Sequence, residues 1–176
     1  MRPQATAEVS DLCATTPEAE TRLWRFLAEL DHVATVKAGD RPTDEILPWL
    51  LVNGRAAKQT SRFDFVWLRP LDVPALLTAR SYTATGRVVL EIVDDQGIAG
   101  GRFVLDASPD GATCGATGES ADITMSVRTL GTVSLGGVHV SSLHAAGWCD
   151  EHTVGAVARA DALLAGPVAP WCNTWF

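Results

Sequence analysis

No run of about 18 apolar residues occurs in this chain of 176 residues, which excludes a transmembrane helix. The opening MRPQATAEVSDLC lacks an apolar h-region, so no secretory leader is expected and a cytoplasmic setting is. The four cysteines, Cys13, Cys114, Cys149 and Cys172, contain no C-x-x-C pair and are expected to be free thiols. Cys149 and His152 form one C-x-x-H pair, with His139, His144 and Cys172 as conceivable recruits. A zinc site normally shows two tight ligand pairs, so no metal is expected. Basic charge is also scarce. Residues 63–176 carry 6 basic and 12 acidic side chains, against 8 and 9 in residues 1–62. Such a surface repels phosphate backbones and argues against a nucleic-acid partner. It attracts a cationic ligand, or simply keeps the protein soluble.

Two catalytic motifs are missing as well. Gly-rich LGTVSLGG (130–137) has no Lys-Ser/Thr of a P-loop, and its Ser134 is outside the G-x-S-x-G spacing of a nucleophile elbow. Its small residues are expected to allow close packing. No internal repeat is visible.

What is present reads as α+β. TTPEAETRLWRFLAELDHV predicts a helix with Thr16 as N-cap, Pro17 at its first position, and Ala19, Leu23, Phe26, Leu27 and Leu30 on one face. ATVKA suggests a short strand, and DEILPWLLVN a helical turn or two. Phe63, Phe65 and Trp67 alternate as in a strand, and Asp72 caps a helix beginning near Pro74. GRVVLEIVDD, GRFVLDAS and ADITMSV predict three strands of an antiparallel meander. VRTLGTVSLGGV, SSLHAAGWC and EHTVGAVARADALLAG are helical in pattern, and Gly166-Pro167 stops the last.

The chain closes on APWCNTWF. Termini usually fray into solvent, yet this one ends with Trp171, Trp175 and Phe176. An α-carboxylate has an ordinary pKa of about 3.3–3.7 and is a feeble base in water. Excluding water around it raises its proton affinity and suits it to general-base work. The alternative is that the aromatics only anchor the terminus, and composition alone favours that alternative.

The segments LPWLL, DFVWLRPLDVPALLTARSY, RVVLEIVDD, GRFVLD, PDGATC, ADITMSVRTLGTVSLGG and PVAPWCNTWF together resemble the C-terminal part of the Eis (enhanced intracellular survival) family of actinobacterial acetyltransferases. The likeness runs from about Val9 to Phe176. It implies two parts: residues 1–62 as the end of a second GNAT-like domain, and residues 63–176 as a sterol-carrier-protein-like (SCP2) domain, an antiparallel sheet covered by helices. It also implies acetyl transfer from acetyl-CoA to an amine, of the aminoglycoside or lysine type, and a homo-oligomer. The family's general base is the C-terminal carboxylate, a role that falls on Phe176. Trp175 stands where well-known members carry an acidic substrate contact, which points to a more apolar or aromatic amine. The family's general acid is a tyrosine of the first GNAT domain, and Tyr82, the only tyrosine here, is not that residue. The acetyl-CoA pyrophosphate pattern Q/R-x-x-G-x-G/A is absent, so no cofactor site is expected in this chain, and its partner would be the missing GNAT domain. The other reading is a freestanding SCP2-like module holding a lipid or other hydrophobic ligand. It requires that Val88, Leu90, Ile92, Phe103, Leu105, Ile123 and Met125 line a tunnel instead of filling a core.

Overall fold

The structure, a computed structural model, describes residues 5–175. They divide into two compact units, one of residues 5–66 with 171–175 and the other of residues 67–170. The boundary drawn from the sequence at 62/63 precedes this division, and residues 171–175, read there with residues 63–176, group with the first unit.

In the first unit, strand β1 (Ala5–Val9) pairs in parallel with β2 (Val33–Ala38), and helix α1 (Pro17–Ala28) makes the crossover. Thr16 caps α1 by accepting the Ala19 N–H at 3.1 Å, as its sequence suggests. The buried face differs from the expected one. Leu23 and Phe26 are exposed, and the residue taken inside is Trp24. Its indole Nε1 donates to Glu45 Oε1 at 3.1 Å, and Arg41 lies over its ring. The hydrogen-bonded Trp24 thus takes the buried place that periodicity alone assigns to Leu23 and Phe26. Helix α2 (Leu47–Leu50) and a 3-10 turn (Gly54–Ala56) follow. The alternation at Phe63, Phe65 and Trp67 forms no strand: residues 57–70 are irregular.

The second unit is a five-stranded sheet in the order β5-β4-β3-β6-β7, formed by β3 (Gly86–Val93), β4 (Gly101–Ser108), β5 (Gly111–Ala116), β6 (Ile123–Ser126) and β7 (Cys149–Glu151). The expected meander is corrected in one respect. Its third strand is β5, not the expected ADITMSV, and β6, formed from that stretch, runs parallel to β3 on the other side. Helices α3 (Val73–Thr78), α4 (Val127–Val133), α5 (Val140–Ala145) and α6 (Ala156–Leu164) complete the unit. Asp72 caps α3 by accepting the Ala75 N–H at 2.9 Å. Leu77, Val88, Leu90, Leu105, Ile123, Leu130, Leu163 and Leu164 are all but fully buried in one cluster, each such side chain contributing about 1.5–3 kcal/mol.

LGTVSLGG turns out to serve packing. Gly136, at φ +81°, accepts the Gly166 N–H through its carbonyl at 3.0 Å, and a Cβ there would lie 2.3 Å from that nitrogen. Neither the dihedral nor the space admits another residue.

Asp94 organises the β3–β4 turn. Its carboxylate accepts the N–H groups of Gln96, Ile98 and Ala99 and pairs with Arg69 at 2.8 Å, with the side chain 1% exposed. The Ala99 N–H first, then Arg69 and the other two N–H groups, hold its carboxyl down at about 2 against the cost of burial. The folded pKa lies below the unfolded value of about 3.9, so this stabilisation is complete above that value and is lost as pH falls through about 2. Asp94→Asn should therefore lower the urea midpoint of the second unit at pH 7 and flatten its acid dependence between about pH 4 and 2. An unchanged acid slope would refute this.

Candidate functional site

The tail begins with Pro167 and Pro170, which disfavour helix. Residues 171, 173 and 175 then fasten it within the first unit. Trp171 Nε1 donates to the Asp40 backbone carbonyl at 2.5 Å. Asn173 Nδ2 donates to Asp11 Oδ1 at 2.8 Å. Trp175 Nε1 donates to Asp40 Oδ2 at 2.9 Å, and its ring meets Phe65 with centroids 4.6 Å apart and planes tilted by 55°.

The floor beneath this tail is built around Arg41. Its Nε donates to Glu45 Oε2 at 2.6 Å, one terminal nitrogen donates to Glu20 Oε1 at 2.6 Å, and the other donates to the Leu12 carbonyl. The guanidinium lies over Trp24 on one contact and Trp171 on another, at 5.5 and 5.4 Å from the ring centroids. Planar stacking with several fixed donors is a task for arginine. Asp40, the residue before it, has φ +49°, a left-handed backbone that aspartate tolerates better than most residues.

Of the residues singled out in the sequence, Trp175 is thus held on one edge while the residue remains 67% exposed. Phe176, the expected base, lies outside the described residues. Asp40, Arg41, Trp24 and Asp11 were not singled out. The local clue within GDRPTD is Asp40 itself, a residue type that tolerates the left-handed backbone.

The remaining candidates lead elsewhere. Tyr82 is buried, its hydroxyl donates to the Leu77 carbonyl at 2.6 Å, and burial pushes its pKa up to about 12. Burial also pushes the Cys114 thiol up to about 11 and raises that of Cys149, which keeps both protonated and unreactive near neutrality. The Cys149–His152 pair does not converge. Cys149 Sγ faces the Val140 carbonyl, while His152 Nε2 is 2.8 Å from Thr124 Oγ1. No group of three His, Cys, Asp or Glu suited to a metal occurs among the described residues. Likewise, no described helix is long and apolar enough to cross a membrane. The tunnel set fills space instead: Val88, Leu90, Ile92, Leu105, Ile123 and Met125 are 0–2% exposed in one cluster, with Phe103 packed on it.

Comparison with known proteins agrees with this architecture. The sterol carrier protein domain family matches residues 73–173, and the acetyltransferase (GNAT) domain family matches residues 1–78. An uncharacterized N-acetyltransferase of Streptomyces griseus is 44% identical over 175 residues, covering 99% of this chain and 42% of the relative. N-acetyltransferase Eis of Mycobacterium tuberculosis is 38% identical over 165 residues, covering 92% and 40%. The crystal structure of Eis1 from Mycobacterium abscessus superposes with a TM-score of 0.88 at 36% identity, over 97% of this chain and 44% of that one. A GCN5-related N-acetyltransferase from Kribbella flavida shares the fold, with a TM-score of 0.69 at 22% identity over 96% of this chain and 44% of that one. The chain thus spans about two-fifths of the length of the curated relatives it matches. From its motifs, its two units and these likenesses, the chain belongs to the Eis family of GNAT N-acetyltransferases and contains a sterol carrier protein domain.

Proposed function

We propose that this chain is the part of an acetyl-CoA-dependent amine N-acetyltransferase that supplies the general base, the C-terminal carboxylate of Phe176. The observation that carries this reading is the fastened tail. Three side-chain hydrogen bonds and an aromatic contact hold residues 171–175, one residue short of the free carboxylate. A terminus so held has lost the freedom that makes ordinary chain ends unsuitable for chemistry.

The residues present do not fit acetyl-CoA. The Q/R-x-x-G-x-G/A pattern is missing from the sequence, and no step through the cofactor is assigned to this chain. Its site, and the general acid, belong to a further GNAT domain acting as partner. The step given to this chain is acceptance of a proton from the amine, for which the carboxylate needs a pKa raised toward the working pH. The exposed ring of Trp175 offers that amine an apolar wall, which favours a substrate with an aromatic or aliphatic body beside its cationic nitrogen. The parallel β1–β2 pair also supports the partner: its strands are largely exposed, whereas parallel sheets are normally covered on both faces.

The test combines this chain, fused or mixed, with an Eis-type region carrying the acetyl-CoA site. CoA release is followed against aminoglycosides and aromatic amines. A rate above that of the region alone is expected, and no gain with any amine would refute the assignment. The close burial of Val88, Leu90, Ile92, Leu105, Ile123 and Met125 in one cluster favours this reading over the lipid-carrier alternative.

A further inference from the structure

We infer that Asp40 is the positioning residue for the chain's C-terminus, latching Trp171 through its backbone carbonyl and Trp175 through its carboxylate. This rests on the assignment of Phe176 as general base. Each indole has a single N–H donor, so each tryptophan can commit to one acceptor only. Both commit to the same residue, across 131 and 135 positions of sequence. Indoles are rigid, and two of them fixed at their nitrogens define both the place and the direction of the intervening backbone. The second bond is made to a carboxylate and is correspondingly strong.

Asp40 itself is set apart from the sheet. The β1–β2 ladder ends at Ala38, and Asp40 follows Gly39 with φ +49°. The left-handed turn presents its carbonyl and its side chain to the same tail. Arg41, next in sequence, lies over the Trp171 ring while Asp40 holds its edge. The pair Asp40-Arg41 therefore sets Trp171 in two directions, and Asp40 fixes the nitrogen edge of Trp175 while Phe65 meets its ring; the α-carbonyl carbon of Trp175 is bonded to the Phe176 nitrogen.

Three variants separate the parts. Asp40→Gly keeps the left-handed backbone and its carbonyl but removes the carboxylate. Asp40→Asn keeps an acceptor oxygen. Trp175→Phe removes the donor. In the 176-residue chain, the indole N–H resonances of Trp171 and Trp175 report the two bonds, and a ¹³C-labelled Phe176 carboxylate reports its own titration. In the combined enzyme, kcat and KM are measured. With Asp40→Gly, the Trp175 N–H should open to exchange while that of Trp171 persists, and the carboxylate midpoint should move toward the ordinary 3.3–3.7 or so. Turnover should fall by about 10- to 100-fold with the KM for acetyl-CoA unchanged. Asp40→Asn should restore it to within about threefold, and Asp40→Gly with Trp175→Phe should be no worse than either alone.

An unchanged Trp175 resonance and unchanged kcat in Asp40→Gly would overturn the inference. So would equal losses in the Gly and Asn variants that simply follow the unfolded fraction. If Asp40→Gly is harmless while amidation of Phe176 abolishes turnover, the latch falls and the base stands. If amidation is harmless, the base falls and the role of Asp40 with it.

Discussion

Converting the Phe176 carboxylate to an amide should lower the turnover of the combined enzyme by about 100- to 10,000-fold, the range a positioned general base contributes. Amidation leaves the phenyl ring and every tail contact described here in place, so a loss cannot be assigned to folding. A single glycine added after Phe176 should be almost as damaging. It restores a carboxylate but moves it about 3.5 Å along the chain, whereas misplacement by about 1 Å can already cost 100-fold. Because the acetyl donor is bound elsewhere, its KM should be unaffected, and the loss should appear in kcat. The measurement is steady-state CoA release for the native, amidated and glycine-extended forms, made by semisynthesis or mutation. Turnover within about threefold for the amide would leave no role for the terminus as base.

Much of the second unit was legible because its information is local. Asp72 before Val73-Pro74 announces a capped helix, and the apolar runs of β3 and β4 announce strands. Strand β5 was hidden because GATCGA has little β-branched character. It exists because the edge of β4 offers it a ladder. The parallel pairing of β6 with β3 was equally invisible, since no local pattern distinguishes a returning strand from the next in a meander. At the candidate site the limit is sharper. The sequence displays the tryptophans of the tail but not what receives them, for Asp40 and Asp11 are separated from their partners by 131 to 162 positions. The α1 face failed for a related reason. Periodicity weighs Leu23, Phe26 and Trp24 by apolarity alone, while the fold chose the one side chain with an N–H to offer Glu45.

Replacement of Arg41 by alanine should destabilise the first unit by about 3 kcal/mol, the low end of the cost of breaking a buried charge network. The guanidinium side chain is 12% exposed, and its partners Glu20 and Glu45 are 22% and 16% exposed. Removing it leaves two carboxylates facing each other with little water, an unpaired Leu12 carbonyl, and two indole faces without their cation. Lysine is no remedy, since one ammonium cannot reproduce a planar fork that meets two carboxylates and a carbonyl while stacking on rings. The combination Arg41→Met with Glu20→Gln and Glu45→Gln should recover much of the loss, because the charges left stranded by the single change are then gone. Hydrogen exchange read by mass spectrometry distinguishes the units: peptides covering residues 17–45 should lose protection in Arg41→Ala, while those covering 86–126 keep theirs. The tail should respond too, as Trp171 loses its stacking partner, and exchange within 167–175 should quicken in step with α1. Protection of residues 17–45 within about 0.5 kcal/mol of the native chain would mean that the network contributes no more than a surface ion pair.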